Sequence, residues 1–79
     1  MGKVKFVIAS DINRRDGIGV ELYLDSELQV EVFRDDTLKT RYVTLFKDNV
    51  ELDHVEQCIA KFKQKNLWDF IVEDGQEWT

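Results

Sequence analysis

Apolar and polar residues alternate along two neighbouring stretches of the chain, and this alternation limits the possible folds more than any other feature. In "IGVELYLD" and in "LQVEVFR", apolar residues fall at every second position. This spacing is typical of β-strands that bury one face. The residues predicted to share the buried face are Ile18, Val20, Leu22, Leu24, Leu28, Val30 and Val32.

Two further strands and one helix follow from the rest of the pattern. "KVKFVIAS" alternates, and "TRYVTLF" is rich in β-branched and aromatic residues. In "NVELDHVEQCIAKFKQKN" the apolar residues recur at helical spacing, with Asp48 or Asn49 as the N-cap and Asn66 as the end. We therefore predict an α+β fold, a four-stranded antiparallel β-meander with one C-terminal helix on its aliphatic face. The helical face is formed by Leu52, Val55, Ile59 and Phe62.

The first hairpin needs a register that keeps both apolar sets on one face. Pairing Leu24 with Leu28 does this and predicts a three-residue loop at 25–27. A two-residue loop would turn the apolar set of one strand to the other face.

The second hairpin is constrained in the same way. Val32 should lie opposite Val43, and Val30 opposite Leu45. A loop of four residues, 36–39, satisfies both pairings.

The length and composition of the chain predict a single soluble domain. Seventy-nine residues suffice for one core. We predict a domain over residues 1–72, which ends in the short apolar segment "LWDFIV", and a mobile polar tail over 73–79. No signal peptide and no apolar run of about 20 residues is present in the sequence, so the expected location is cytoplasmic, away from membranes.

The charge balance indicates the kind of partner. Eleven Lys and Arg stand against sixteen Asp and Glu, which gives a net charge of −5. A net acid without a basic stripe is a poor ligand for nucleic-acid phosphates, so we expect no nucleic acid partner. A basic protein is favoured, because opposite charge speeds encounter.

Arg34, Asp35 and Asp36 lie between the last two predicted strands and could be either a site or a turn. Short carboxylate side chains are typical of turns, where they accept hydrogen bonds from nearby backbone N–H groups. We interpret the aspartates as turn residues. Replacing both with Asn should then cost less than ~1 kcal/mol of stability.

The other possible sites fail on their chemistry. Asp11 and Asn13 begin a pattern similar to a calcium loop, but Arg15 occupies a ligand position. His54 and Cys58 lie four residues apart on the helix, and two ligands are too few for a metal site. We read Cys58 as a small core residue. No cofactor, metal or catalytic residue is predicted.

The second face of the sheet is the candidate binding surface. The registers place Phe33 opposite Tyr42 on this face, and we predict partner binding there. Aromatic side chains are the usual anchors of protein interfaces. Alternatively, Trp68 and Phe70 cover this face. The predicted partner-binding residues are Tyr23, Phe33, Tyr42, Phe46, Glu21 and Glu31.

The stretch "IGVELYLDSELQVEVFRDDTLKTRYVTLF", followed by "VELDHVEQCIAKFKQKNLWDFI", resembles small acidic bacterial proteins, which include immunity proteins that neutralise toxins. The resemblance covers about residues 4–71 and concerns architecture and composition, so it assigns no functional residue. It implies a non-enzymatic protein that masks a basic partner, such as a nuclease toxin. The alternative is a small structural or adaptor subunit that self-associates, with a homodimer through the aromatic face.

Overall fold

The computed structural model describes residues 2–10 and 17–70. The strands form one antiparallel sheet in the order β1-β2-β3-β4, and a single helix follows, which confirms the predicted α+β meander. Residues 11–16, which contain the calcium-loop-like pattern, and residues from 71 onward, which include the predicted tail at 73–79, lie outside the described residues. The elements are β1 (Val4–Ser10), β2 (Gly17–Leu24), β3 (Glu27–Asp35), β4 (Thr40–Leu45) and α1 (Leu52–Gln64).

The predicted loop of the first hairpin is wrong. Leu24 pairs with Glu27, not with Leu28, so the loop contains only Asp25 and Ser26. Both loop residues have positive φ, 51° and 72°. Such turns match the right-handed twist of the flanking strands, which explains why the short loop is preferred.

An irregularity in β3 restores the apolar face that a two-residue loop should have lost. The register passes over Gln29, so Tyr23 pairs with Leu28 while Leu22 pairs with Val30. This extra residue is a β-bulge, which shifts the side chains beyond it by one position. Val20, Leu22, Val30 and Val32 consequently share a face, as predicted.

The second hairpin is as predicted. Val32 pairs with Val43 and Val30 with Leu45. The strands end at Asp35 and Thr40, which pair with each other, so the loop contains residues 36–39.

The core lies between the helix and the two middle strands. The helix packs on β2 and β3. Leu52 was predicted to join this core, but it is 69% exposed, and Val50 packs against the core instead. The helix begins at Leu52, so the predicted N-caps, Asp48 or Asn49, are wrong. The N-cap is Glu51, which makes no side-chain capping bond. The buried core residues are Val20, Leu22, Val30, Val32, Cys58 and Phe62.

Asn66 ends the helix, as predicted, and determines where the chain goes next. Its φ is 61°, and its N–H donates to Lys63 O at 3.0 Å. The N–H of Leu67 donates to Phe62 O at 3.1 Å. These two bonds form a Schellman motif, and Leu67 then packs against the core. The chain thus returns to the sheet as the segment 67–70.

The helix leaves β4 uncovered. Every residue of β4 is exposed. On the side of the sheet that carries the helix, Val43 and Leu45 are 50% and 51% exposed. Apolar residues that the sequence places in the core face thus lie partly in solvent, because one helix is too narrow to cover four strands.

Candidate interaction surface and the arginine network

Arg34 is the centre of a buried polar network at one end of the sheet. It is only 4% exposed and lies on the helix side, next to Val32 along β3. Its Nη1 donates to the backbone oxygens of Leu67 at 3.1 Å and of Asp69 at 2.9 Å. Arg34 therefore binds the segment 67–70 to the sheet.

Asp36 supplies the opposite charge to Arg34. Arg34 Nη2 donates to Asp36 Oδ2 at 3.1 Å, and Nε lies 2.9 Å from Oδ1 as an ion pair. The Asp36 side chain is only 11% exposed. Removing a largely buried charge from its ion pair lowers the free energy of unfolding by more than replacing a turn residue does. The interpretation of Asp36 as a turn residue is therefore incomplete, and the expected cost below ~1 kcal/mol no longer holds for it.

Asp35 does act as the turn residue that the sequence predicts. Its Oδ1 accepts hydrogen bonds from the backbone N–H groups of Thr37, at 3.0 Å, and Leu38, at 2.9 Å. These are the local bonds that short carboxylates favour in turns. The three residues thus have different roles. Asp35 shapes the loop, whereas Arg34, paired with Asp36, binds the segment 67–70.

A second arginine contacts the same segment. Arg41 lies opposite Arg34, and its Nε donates to the backbone oxygen of Trp68 at 2.8 Å. The guanidinium carbon lies 4.0 Å from the centre of the Trp68 ring and 4.4 Å from that of Phe70. Trp68 also meets the ring of Phe62 edge-on, with centroids 6.3 Å apart. Trp68 and Phe70 are therefore placed on the helix side, so they do not cover the predicted aromatic face.

The side of the sheet away from the helix is called the open face below. Phe33 lies opposite Tyr42 on it, as predicted, but Phe33 is only 1% exposed. Its ring lies across Gly17 and Gly19: a Cβ added to Gly19 would be 2.8 Å from Phe33 Cδ1. The two glycines thus leave the space that Phe33 fills. Gly19 lies opposite Phe33, and Gly17 follows two residues away on the same face, so this pair of glycines is the sequence signal for the burial.

The predicted carboxylates of the open face are also partly withdrawn from solvent. Glu31 is 5% exposed, and Glu21 is half-buried. The hydroxyl of Tyr23 donates to Glu21 Oε1 at 3.0 Å. This bond is the main cause that raises the pKa of Tyr23 above its ordinary value, with burial and the neighbouring charges as smaller causes.

Tyr42 and Phe46 are the predicted binding residues with the most surface in solvent. They are 41% and 45% exposed. Both belong to the β4 edge, since the Phe46 N–H donates to Gln29 O at 2.9 Å and continues the ladder past Leu45. The structure thus brings two aromatic side chains together on the outer edge of the open face.

Exposed carboxylates gather at the end of the sheet where β4 finishes. The β2–β3 turn lies at this end because Val30, which pairs with Leu45, is close to that turn in β3. The start of the helix follows β4 after only six residues. Lys47 Nζ, 3.2 Å from Glu27 Oε1, is one cation among them. The sequence analysis did not assign this cluster, although the acidic start of the helix was its signal. The acidic end comprises Asp25, Glu27, Asp48, Glu51 and Asp53, all exposed.

Cys58 and His54 do not form a reactive pair. Cys58 is fully buried, as predicted, and its Sγ lies 3.3 Å from Val20 O, to which it donates. Burial raises the pKa of the thiol to about 11, so it is protonated at neutral pH. Among the described residues, no group of three or more His, Cys, Asp or Glu side chains is placed to hold a metal ion.

The chain matches no protein-family model, no curated protein and no solved structure. The similarity to small acidic immunity proteins therefore stays a prediction from architecture and composition. Within residues 2–10 and 17–70, no helix is long and apolar enough to cross a membrane.

Proposed function

We propose that this protein is a non-enzymatic binding protein that masks a basic protein partner. The observation that carries the proposal is the uncovered strand β4, on which Tyr42 and Phe46 present aromatic surface beside the acidic end. Aromatic side chains surrounded by a polar rim are the usual composition of protein interfaces. The proposed contact surface is therefore Tyr42 and Phe46 with the neighbouring carboxylates.

Charge supports a basic partner over other classes. The net charge is −5, and five exposed carboxylates stand together at the acidic end. The negative electrostatic potential of these carboxylates raises the association rate of a cationic protein and repels the phosphate backbones of nucleic acids. A toxin with a cationic substrate-binding cleft, such as a nuclease, fits this surface, and masking that cleft would be an immunity function.

The burial of the reactive side chains supports a binding protein over an enzyme. Cys58 is buried and protonated, and Asp35 and Asp36 are engaged in the β3–β4 turn. An acid–base pair needs carboxyls with access to a substrate and with different environments. The exposed carboxylates of the acidic end lie in solvent, where they act through charge.

Capture from the native cell tests the proposal. We expect the wild type to retain one basic protein, and the double variant Tyr42→Ser, Phe46→Ser to lose at least ~10-fold in affinity for it, because a lost aromatic anchor costs ~2 kcal/mol or more. Leu38→Ser is the matched control, since Leu38 is 61% exposed but lies in the loop at the other end.

The salt dependence of the captured complex completes the test. Raising the salt concentration should slow association, because the Debye length falls to ~10 Å at 0.1 M, while dissociation changes little. Circular dichroism confirms that each variant is folded. An acidic captured protein, or equal loss of binding in the Leu38→Ser control, would contradict the proposed surface.

A further inference from the structure

We propose that β4 pairs edge to edge with β4 of a second copy, so that two sheets join into one of eight strands. This inference concerns the edge of β4 and does not require the proposed basic partner. Because the pairing would bury Tyr42 and Phe46, the dimer and the complex with that partner would compete for the same surface. The pairing is also the form that self-association, the alternative function, would take. It follows from the hydrogen-bonding groups of β4, its side chains and the charges at its two ends.

The free hydrogen-bonding groups of β4 belong to alternate residues. The Phe46 N–H donates to Gln29 O, so Phe46 lies in a hydrogen-bonded pair with β3. In an antiparallel ladder such pairs alternate along the strand, so Tyr42 and Thr44 also point their backbone groups at β3. Those of Val43 and Leu45 therefore point away from the sheet, where another strand can bind them.

Nothing in β4 itself blocks such pairing. Edge strands are commonly protected by proline, by a bulge or by an inward-pointing charge. The register of β4 with β3 is regular from Thr40 to Leu45, and its one charged side chain, Arg41, is folded onto Trp68. The edge is therefore regular, largely uncharged and not covered by another described element.

One register matches apolar residues on both faces. If Thr44 lies on the two-fold axis, Val43 faces Leu45 of the second copy, and the two exchange backbone hydrogen bonds. On the open face, Tyr42 then lies beside Phe46 of the second copy. These four side chains, all between 41% and 51% exposed, would lose solvent contact together.

Charges at the ends of β4 favour the same antiparallel arrangement. The register sets Asp48 of the second copy near Thr40, on the open face, whereas Arg41 lies on the helix side. It also sets Arg41 opposite Lys47 of the second copy, and this like-charged pair is mitigated because Lys47 is bound to Glu27. The acidic end of each copy approaches the other end, which carries Lys39, Arg41, Lys63 and Lys65.

A cysteine at the two-fold axis tests the pairing. In a non-hydrogen-bonded antiparallel pair the Cα atoms are ~4.5 Å apart, which lies within the range that a disulfide spans. We expect Thr44→Cys to become a covalent dimer under mild oxidation. Thr40→Cys, the matched control on the same face of β4, should stay monomeric because the two copies of residue 40 would be ~27 Å apart. The buried Cys58 is present in both variants.

The mass of the protein in solution provides the second measurement. Analytical ultracentrifugation should give twice the 9.3 kDa mass of the chain, and Val43→Lys should return it to a folded monomer. The substitution is compatible with folding because Val43 is half exposed. A monomeric wild type at high concentration, or equal cross-linking of Thr44→Cys and Thr40→Cys, would overturn the proposal.

Discussion

Replacing Arg34 with methionine should lower the free energy of unfolding by ~3–5 kcal/mol, the usual cost of removing one partner from a buried ion pair. The change takes the donor from the backbone oxygens of Leu67 and Asp69 and removes the opposite charge that pairs with Asp36. Urea denaturation measures the loss.

Arg41→Met is the matched control for this change. Arg41 lies directly opposite Arg34 and contacts the same segment, but it is exposed. Arg41 makes an exposed hydrogen bond and exposed cation–π contacts, each worth ~0.5–1 kcal/mol, so the control should lose about 1–2 kcal/mol, less than Arg34→Met. Equal losses in the two variants would mean that Arg34 contributes no more than a surface contact.

Replacing Gly19 with alanine should destabilise the protein by about 2–3 kcal/mol, the upper part of the range for overpacking. The added Cβ would lie 2.5 Å from the backbone oxygen of Val32 and 2.8 Å from Phe33 Cδ1, so β2 and β3 must move apart or the Phe33 ring must leave its place. Thermal denaturation followed by circular dichroism measures the effect.

Gly2→Ala is the control for this change, because it also replaces a glycine with alanine. Its added methyl would meet only the side chain of Leu24, which can move aside. We expect a change within ~0.5 kcal/mol. A Gly19→Ala variant as stable as this control would show that Phe33 does not rest on the glycine.

The strand pattern could be predicted because period-two alternation relates sequence directly to the two faces of a sheet. From this alternation, the loop length and the residue pairings of the second hairpin were predicted correctly. The same reasoning failed in the first hairpin, because a bulge at Gln29 restores the parity that the two-residue turn removes. The sequence around Gln29 offers no distinctive residue, since a bulge is selected by the twist of the whole hairpin.

The candidate surface was predictable only in part, because exposure depends on how far the helix reaches. Face assignment placed Phe33 and Tyr42 together correctly, yet Phe33 is buried and Tyr42 is not. The exposure of Val43 and Leu45 arises because α1 packs mainly on β2 and β3 and does not reach over β4. The network of Arg34 could not be derived from local turn chemistry, since its partners are 33 and 35 residues away in sequence.

Amide hydrogen exchange along β4 tests most directly the central claim, that this strand is an open edge through which the protein associates. In dilute solution the N–H groups of Tyr42, Thr44 and Phe46 should exchange slowly, while those of Val43 and Leu45 exchange fast. Raising the protein concentration should protect Val43 and Leu45. Slow exchange of these two amides in dilute solution, or fast exchange at every concentration, would contradict the account.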